Sequence, residues 1–120
     1  MATDYKDLVV WQRARRLVKE IYGSTRSFPR EELFGLTSQM RRAAVSVASN
    51  IAEGKGRNSR KELVQFLCVA RGSLLELETH IQIARDLDYL DDTKRVHLAN
   101  EVLTVVRPLN GLIARIRQEQ

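Results

Sequence analysis

The chain has 120 residues, of which 43% are hydrophobic and 29% charged, and this balance predicts one globular domain over residues 1–120. Its net charge of +5 points to an anionic partner without naming one. A single cysteine excludes a disulfide framework, and the longest uncharged run, residues 43–52, is too short to span a bilayer, so we expect a cytoplasmic protein without a membrane segment.

Only two prolines and the lack of an alternating strand pattern predict an all-α chain. The first predicted helix covers about residues 7–22 and is expected to end at residues 23–25, before Pro29. Its apolar side chains recur at spacings of three and four and form one stripe: Leu8, Trp11, Ala14, Val18 and Ile21.

The second predicted helix covers about residues 32–53. Glu31 and Glu32 suit the positive end of its dipole, and Gly54 is expected to end it in the left-handed conformation that glycine tolerates. Its apolar stripe consists of Leu36, Met40, Ala43, Val47 and Ile51.

The rest of this helix carries small and hydrogen-bonding side chains where a bundle helix normally has a charged outer face. One interpretation places the helix centrally within its own bundle. The other, which we favour because so small a bundle cannot enclose one helix on every side, places a second copy of the chain against it. The predicted oligomer interface consists of Gln39, Arg42, Val45, Ser46, Ala48, Ser49, Asn50, Ala52 and Glu53.

The third predicted helix covers about residues 60–87 and starts with a capping box formed by Ser59 and Glu62. Gly72 inside it indicates a close contact, because glycine costs about 1 kcal/mol against alanine in a helix interior. Spacings of four and three alternate along its apolar seam, which consists of Leu63, Leu67, Ala70, Leu74, Leu77, Ile81 and Ala84.

The fourth predicted helix covers about residues 92–118 and follows the capping residue Asp91. Pro108 is expected to kink it, and a break at Asn110 and Gly111 is the alternative. Its apolar stripe consists of Ala99, Val102, Val106, Leu109, Ile113 and Ile116. Four amphipathic helices joined by short connections predict an antiparallel up-and-down four-helix bundle.

A family resemblance rests on four parts of the chain: DLVVWQRA, FPREELFGLTSQMRRAAVSVASNIAEGKGR, SRKELVQFLCVARGSLLELET and the apolar fourth helix. Together, over about residues 5–118, they resemble the four-helix bundle proteins encoded by intervening sequences of bacterial 23S rRNA genes, also called the S23 ribosomal protein family. Val47 and Ala48 depart mildly from the family pattern. The residues that match it are Gln39, Arg42, Ala43, Ser46, Asn50, Ile51, Glu53, Gly54, Arg57, Gly72 and Glu76.

The resemblance implies a homopentamer of antiparallel four-helix bundles around a central channel. The accessory protein of diversity-generating retroelements is similar in architecture. That similarity implies a basic barrel that binds nucleic acid and a reverse transcriptase.

Basic residues are concentrated in residues 1–61, which contain 13 Lys and Arg against 6 Asp and Glu, whereas residues 62–120 contain 7 against 9. Several cations surround the start of the third helix, where free N–H groups and the dipole favour an anion. Phosphate contacts need only such cations and donors, so we predict binding without sequence specificity, with a solvated basic loop as the alternative. The predicted nucleic-acid contacts are Arg13, Arg16, Lys19, Arg41, Lys55, Arg57, Arg60 and Lys61.

No catalytic, cofactor or metal site is predicted from the sequence. The residues of the pairs Glu76/His80 and His97/Glu101 are four apart and do not form the Glu-x-x-His motif of bundle di-metal sites, so both histidines are expected at the surface or in caps. Four aromatic residues are expected in the core rather than as base-stacking surfaces: Trp11, Tyr22, Phe34 and Phe66.

The predicted function is therefore non-enzymatic binding of RNA or DNA by a basic homo-oligomer. The alternative is an oligomeric scaffold that docks a protein partner such as a polymerase and has no direct nucleic-acid role.

Overall fold

The computed structural model describes residues 4–119, which form four α-helices and no strand, as the sequence predicted. We number the helices α1 to α4, and they span Val9–Thr25, Leu36–Lys55, Arg60–Asp86 and Asp92–Gln118. Short 3-10 turns at Tyr5–Asp7 and Arg30–Glu32 precede α1 and α2. None of these four helices contains an apolar stretch that could cross a membrane.

The four helices enclose one hydrophobic core. Each of α1 and α3 packs against both α2 and α4, and the most extensive contact joins α2 to α3. The predicted stripe of α2 is confirmed, since all five of its residues are buried. The predicted seam of α3 is confirmed from Leu67 to Ala84, with Leu63 half-buried at its start. The Ser59 side chain caps α3 by accepting from the N–H of Glu62.

The apolar stripes of α1 and α4 lie slightly to one side of the predicted ones. In α1, Val10 and Leu17 are buried, whereas Trp11 and Val18 lie half-buried at the margin of the core. The ring of Tyr5 packs edge-on against Trp11, with 5.1 Å between ring centroids. In α4 the buried apolar residues are Leu98, Val102, Val105, Leu109, Ile113 and Ile116, so the predicted Ala99 and Val106 are replaced by Leu98 and Val105.

The predicted limit of α1 at residue 22 is too short, since the helix continues through Gly23 and ends at Thr25, within the segment 23–25 where its end was expected. The Thr25 hydroxyl donates to the carbonyl of Ile21 at 2.8 Å and accepts from Arg41 Nε at 2.9 Å. These contacts attach the last turn of α1 to α2.

The predicted start of α2 at residue 32 is also wrong, and the helix begins at Leu36. Glu32 lies in the preceding turn, where its carboxylate accepts from the Leu36 N–H at 3.1 Å and from the Tyr89 hydroxyl at 2.8 Å. The backbone hydrogen bond first, and the Tyr89 bond second, lower the pKa of Glu32. Glu32 therefore interacts with the start of α2, as expected of an acid there, through the hydrogen bond from the Leu36 N–H to its carboxylate.

The prediction that Gly54 ends α2 in a left-handed conformation is wrong. No glycine among the described residues has a positive φ, and Gly54 lies buried inside the helix. A Cβ atom at this position would lie 2.8 Å from Phe66 Cβ and 3.3 Å from Leu63 Cδ1. Glycine is required here because α2 and α3 approach too closely for a side chain.

Two further expectations concern Gly72 and Pro108 in the longer helices. An added Cβ at Gly72 would meet no atom of residues 4–119 within 4 Å outside the backbone of its own helix, so no close contact within the chain explains this glycine, and a contact with a second copy stays a prediction. Helix α4 continues through Pro108, Asn110 and Gly111, so the alternative of a break is wrong, and the kink expected at Pro108 stays a prediction.

We expect Gly54→Ala to lower the free energy of unfolding by about 1–3 kcal/mol, because the added methyl group forces two packed backbones apart. Gly111→Ala is the matched control: its Cβ meets none of the described atoms within 4 Å, and it should raise stability by roughly 0.5–1 kcal/mol. Chemical denaturation followed by circular dichroism measures both changes. Equal stability of the two variants would contradict the close-packing role of Gly54.

Candidate nucleic-acid interface

A groove between α1 and α4 brings together the first group of predicted nucleic-acid residues. Its volume is about 490 Å³. On each helix the groove-facing residues recur at spacings of three or four, which places them on one edge. Polar side chains from both helices therefore line one channel. The lining residues are Arg13, Arg16, Asn100, Glu101, Leu103, Thr104 and Arg107. We call this channel the α1/α4 groove.

Arg13, which is exposed, has a structural role in this groove. Proline has no N–H, so Pro108 cannot donate to the carbonyl four residues earlier, which belongs to Thr104. Arg13 Nη1 donates to that carbonyl at 3.2 Å and thereby supplies the hydrogen bond that α4 lacks. Because the acceptor is neutral, the guanidinium keeps its positive charge in the groove, and it retains further N–H donors for another ligand.

Arg16 on α1 and Glu101 on α4 form an ion pair that joins the two helices of the groove. Arg16 Nη2 lies 3.2 Å from Glu101 Oε1, and the arginine side chain is 68% exposed whereas that of the glutamate is 7% exposed. Arg107 is exposed, and no carboxylate within residues 4–119 lies at ion-pair distance from it. The groove thus carries three arginines against one carboxylate, and its balance is positive.

A second basic group lies where α2 ends, α3 begins and α4 ends. Lys55, Arg60 and Arg115 rim a crevice of about 350 Å³ with an apolar floor that includes Ile51 and Leu67. We call these three cations the cationic end. Arg60 also contacts the carbonyl of Glu119 and lies 3.9 Å from its carboxylate, so part of this charge is compensated.

The other predicted nucleic-acid residues lie outside these two groups. Lys19 and Lys61 are exposed on α1 and α3. The guanidinium of Arg57 lies over the Phe66 ring at 4.7 Å and 3.7 Å from Glu53 Oε2. Arg41 is held by Thr25 and by the Tyr22 ring, 4.6 Å away, and fastens α1 to α2.

Sequence reasoning missed Arg107 and Arg115. The net charge of residues 62–120 hides the basic end of α4, because the acids near the α3–α4 turn offset it. Counted by helix, residues 102–118 contain three arginines and no acid, and that signal was available.

The predicted oligomer interface is partly used within the chain. Ser46 Oγ lies 3.0 Å from Ser73 Oγ and joins α2 to α3, whereas Asn50 Nδ2 donates to the Ser46 carbonyl within α2 at 2.8 Å. Ala48 packs against the core. Ala52 is half-buried, and the exposed residues of the predicted set are Gln39, Arg42, Val45, Ser49 and Glu53.

The four aromatic residues expected in the core do not belong to it. Trp11 and Phe66 are half-buried, Tyr22 is 39% exposed and Phe34 is 93% exposed. The buried aromatic residue among those described is Phe28, which packs against Tyr89. Spacing alone misplaced Phe34 because residue 34 lies in the loop before α2 rather than in its first turns.

The two histidines differ in environment. His97 lies on the surface as predicted, but His80 is buried at 6% exposure, which corrects the expectation for that residue. Nδ1 of His80 has no hydrogen-bond partner among residues 4–119. Burial lowers the pKa of His80, against the opposing effect of Glu76, so the neutral ring is favoured inside the fold.

Comparison with known proteins assigns the chain to a protein family. A family model described as 23S rRNA-intervening sequence protein matches residues 6–111. The chain belongs to this family. The resemblance seen in the sequence is thereby confirmed.

A solved structure is similar to this member of the 23S rRNA-intervening sequence protein family. It is a protein with unknown function from the S23 ribosomal protein family of Bacteroides thetaiotaomicron VPI-5482, with 20% sequence identity and a TM-score of 0.82. The match covers 88% of this chain and 96% of that one. At this identity the likeness establishes the fold. No curated protein matches the chain.

The contact between Arg13 and the carbonyl left free by Pro108 gives a double-mutant test. We expect Arg13→Met to lower the free energy of unfolding by about 1 kcal/mol, the usual net contribution of such a hydrogen bond. In a Pro108→Ala background the restored N–H can bond to the Thr104 carbonyl, so the same arginine substitution should cost less. An equal cost in both backgrounds, measured by urea denaturation, would exclude this role.

Proposed function

We propose that this chain is a non-enzymatic cytoplasmic protein that binds RNA or DNA through phosphate contacts and does not read base sequence. The observation that carries the proposal is the α1/α4 groove, where Arg13, Arg16 and Arg107 face a single carboxylate. The family name associates these proteins with an intervening sequence of 23S rRNA and states no ligand. The groove therefore supports the proposal more directly than the name does.

The chemistry of the groove suits phosphate. Arginine presents several N–H donors in a fork that matches two phosphate oxygens. A phosphate entering beside Arg16 competes with Glu101 for the guanidinium, and the exposure of that guanidinium leaves it reachable. Nothing in this arrangement requires contact with a base edge, so affinity should depend on charge and salt rather than on sequence.

We further propose that the chain forms a homo-oligomer of antiparallel up-and-down bundles, with the pentamer implied by the family resemblance as its assembly. Contacts between α3 and α4 support the antiparallel arrangement, because residues rising in number on one helix meet residues falling in number on the other. These contacts join Arg60 to Glu119, Arg71 to Asn110 and Arg85 to Asp92.

The exposed face of α2 supports oligomer formation. Val45 is 41% exposed, and Ser49 beside it is exposed as well, which leaves a surface of small side chains between Arg42 and Glu53. An oligomer repeats the α1/α4 groove, and several grooves that reach one polyanion raise its overall affinity well above that of one groove.

The scaffold alternative is favoured by a different observation. The outward face of α3 exposes large apolar side chains, including Val69 at 53%, Leu75 at 61% and Ile83 at 40%. Exposed apolar groups that lie along one helix favour contact with a protein surface. A protein partner such as a polymerase would use this face and leave the α1/α4 groove unused.

Titration of labelled RNA and DNA at several salt concentrations tests the nucleic-acid proposal. We expect binding at low salt, with log K falling linearly against log salt. Arg107→Gln should weaken binding and reduce that slope by about 0.7–0.9, the contribution of one phosphate contact. Arg26→Gln is the matched control, since Arg26 is an exposed arginine that does not line the groove, and it should bind as the wild type does. No binding at about 50 mM salt, or equal effects of both substitutions, would favour the scaffold.

Two matched valines test the oligomer. Val45 and Val96 are 41% and 43% exposed, on α2 and α4 respectively. We expect Val45→Glu to lower the mass in solution towards that of one chain, because it places a charge in the proposed interface, and Val96→Glu to leave the mass unchanged. Light scattering after size-exclusion chromatography measures both. A wild type with the mass of one chain would contradict the assembly.

A further inference from the structure

Three potential metal ligands from two helices converge beside the α1/α4 groove. The carboxylates of Glu20 on α1 and Glu101 on α4, with the imidazole of His97 on α4, each offer a ligand atom, and these atoms lie within 4.8 Å of one another. His97 and Glu101 are one helical turn apart, which places both on the α4 edge that faces α1. His97 Nε2 already lies 3.1 Å from Glu20 Oε2.

We propose that Glu20, His97 and Glu101 form a binding site for a divalent transition-metal ion such as Zn²⁺. One imidazole nitrogen and two carboxylate oxygens are a ligand set that Zn²⁺ accepts. Metal–ligand bonds of about 2.0–2.1 Å in a tetrahedral site place ligand atoms roughly 3.3–3.4 Å apart. The distance of 3.1 Å between His97 Nε2 and Glu20 Oε2 is close to this value. Small rotations of the two glutamate side chains would bring the remaining ligand atoms, now within 4.8 Å, to the same separation.

The burial of Glu101 supports a cation at this position. Its side chain is 7% exposed, and its carboxylate lies near a second carboxylate, that of Glu20. Among residues 4–119 its ion-pair partner is Arg16, which is 68% exposed and contacts one oxygen only, at 3.2 Å. Burying a charge is costly unless it is compensated, and a guanidinium so open to water compensates weakly. A divalent cation between the two carboxylates compensates both.

The proposed metal site shares Glu101 with the α1/α4 groove, but its test does not depend on nucleic-acid binding, since the readout is the metal itself. The sequence predicted no metal site because His97 and Glu101 do not form a Glu-x-x-His motif. The third ligand, Glu20, lies 77 residues from His97 along the chain and reaches it only through the packing of α1 against α4. With three protein ligands, one position of a tetrahedral ion is left for water.

Calorimetric titration of the untagged full chain with Zn²⁺ tests the proposal, with Co²⁺ absorption as a second readout of coordination. We expect one ion per chain. His97→Ala and Glu20→Gln each remove a ligand at a partly exposed position and should weaken binding about tenfold or more, in the range that loss of a supporting group alone produces. Arg16→Gln removes the competing cation at Glu101 and should strengthen binding severalfold.

The pair Glu76/His80 on α3 provides the matched control, because it repeats the same residue types four apart and is not part of a described group of three metal ligands. Glu76→Gln should bind Zn²⁺ as the wild type does. Circular dichroism of each variant without metal establishes that it is folded. Absence of saturable binding at micromolar Zn²⁺, or binding by folded His97→Ala equal to that of the wild type, would overturn the site.

Discussion

The close approach of α2 and α3 is the constraint on which the rest of the fold depends. At Gly54 the two helices leave no room for a methyl group, since a Cβ there would lie 2.8 Å from Phe66 Cβ. Above this point Ser46 and Ser73 join the helices by a hydrogen bond of 3.0 Å. The small residues of α2 therefore allow α3 to pack closely within the chain. Only the exposed face of α2 remains available for contact with another molecule.

This approach also fixes the position of the cationic end. Helices that meet so closely can be joined by the short segment between Lys55 and Arg60, which places these two cations on the rim of one crevice. Arg115 joins them because α4 packs against α3 and ends beside its start, as the contact between Arg60 and Glu119 shows. Lys55 and Arg60 are therefore recognisable as a basic stretch in the sequence, whereas Arg115 belongs to the group only through packing.

The α1–α4 contact has a different character, because polar groups follow its outer edge. Arg13 bonds to the Thr104 carbonyl, Arg16 pairs with Glu101, and His97 contacts Glu20. Apart from the buried Glu101 carboxylate these groups lie at or near the surface, where ion pairs contribute about 0–1 kcal/mol each, so the buried apolar side chains stabilise this contact more than the polar edge does. A ligand or ion that competes for these polar groups would consequently perturb the fold little, which makes this edge a suitable place for binding.

The sequence predicted best where local pattern and packing coincide. The stripe of α2 and the seam of α3 were predicted because long stretches offered one apolar face with no competing choice. In α1 and α4, neighbouring sets such as Leu17 or Val18, and Val105 or Val106, satisfy the same spacing, and only the position of the adjacent helices decides between them. Gly54 was misread for a related reason: glycine serves helix ends and close contacts alike, and a sequence does not state the distance to α3.

The same reasoning separates the basic residues that could be identified from those that could not. Arg13 and Arg16 were recognised within a basic stretch, but Arg107 belongs with them only because α4 lies against α1. On the proposed function, α4 then links both basic groups, since Arg107 and Arg115 are eight residues apart and a helix rises about 12 Å over that length. Along one strand of a duplex this distance corresponds to roughly three to four phosphates, so a single backbone following α4 could contact the groove and the cationic end together.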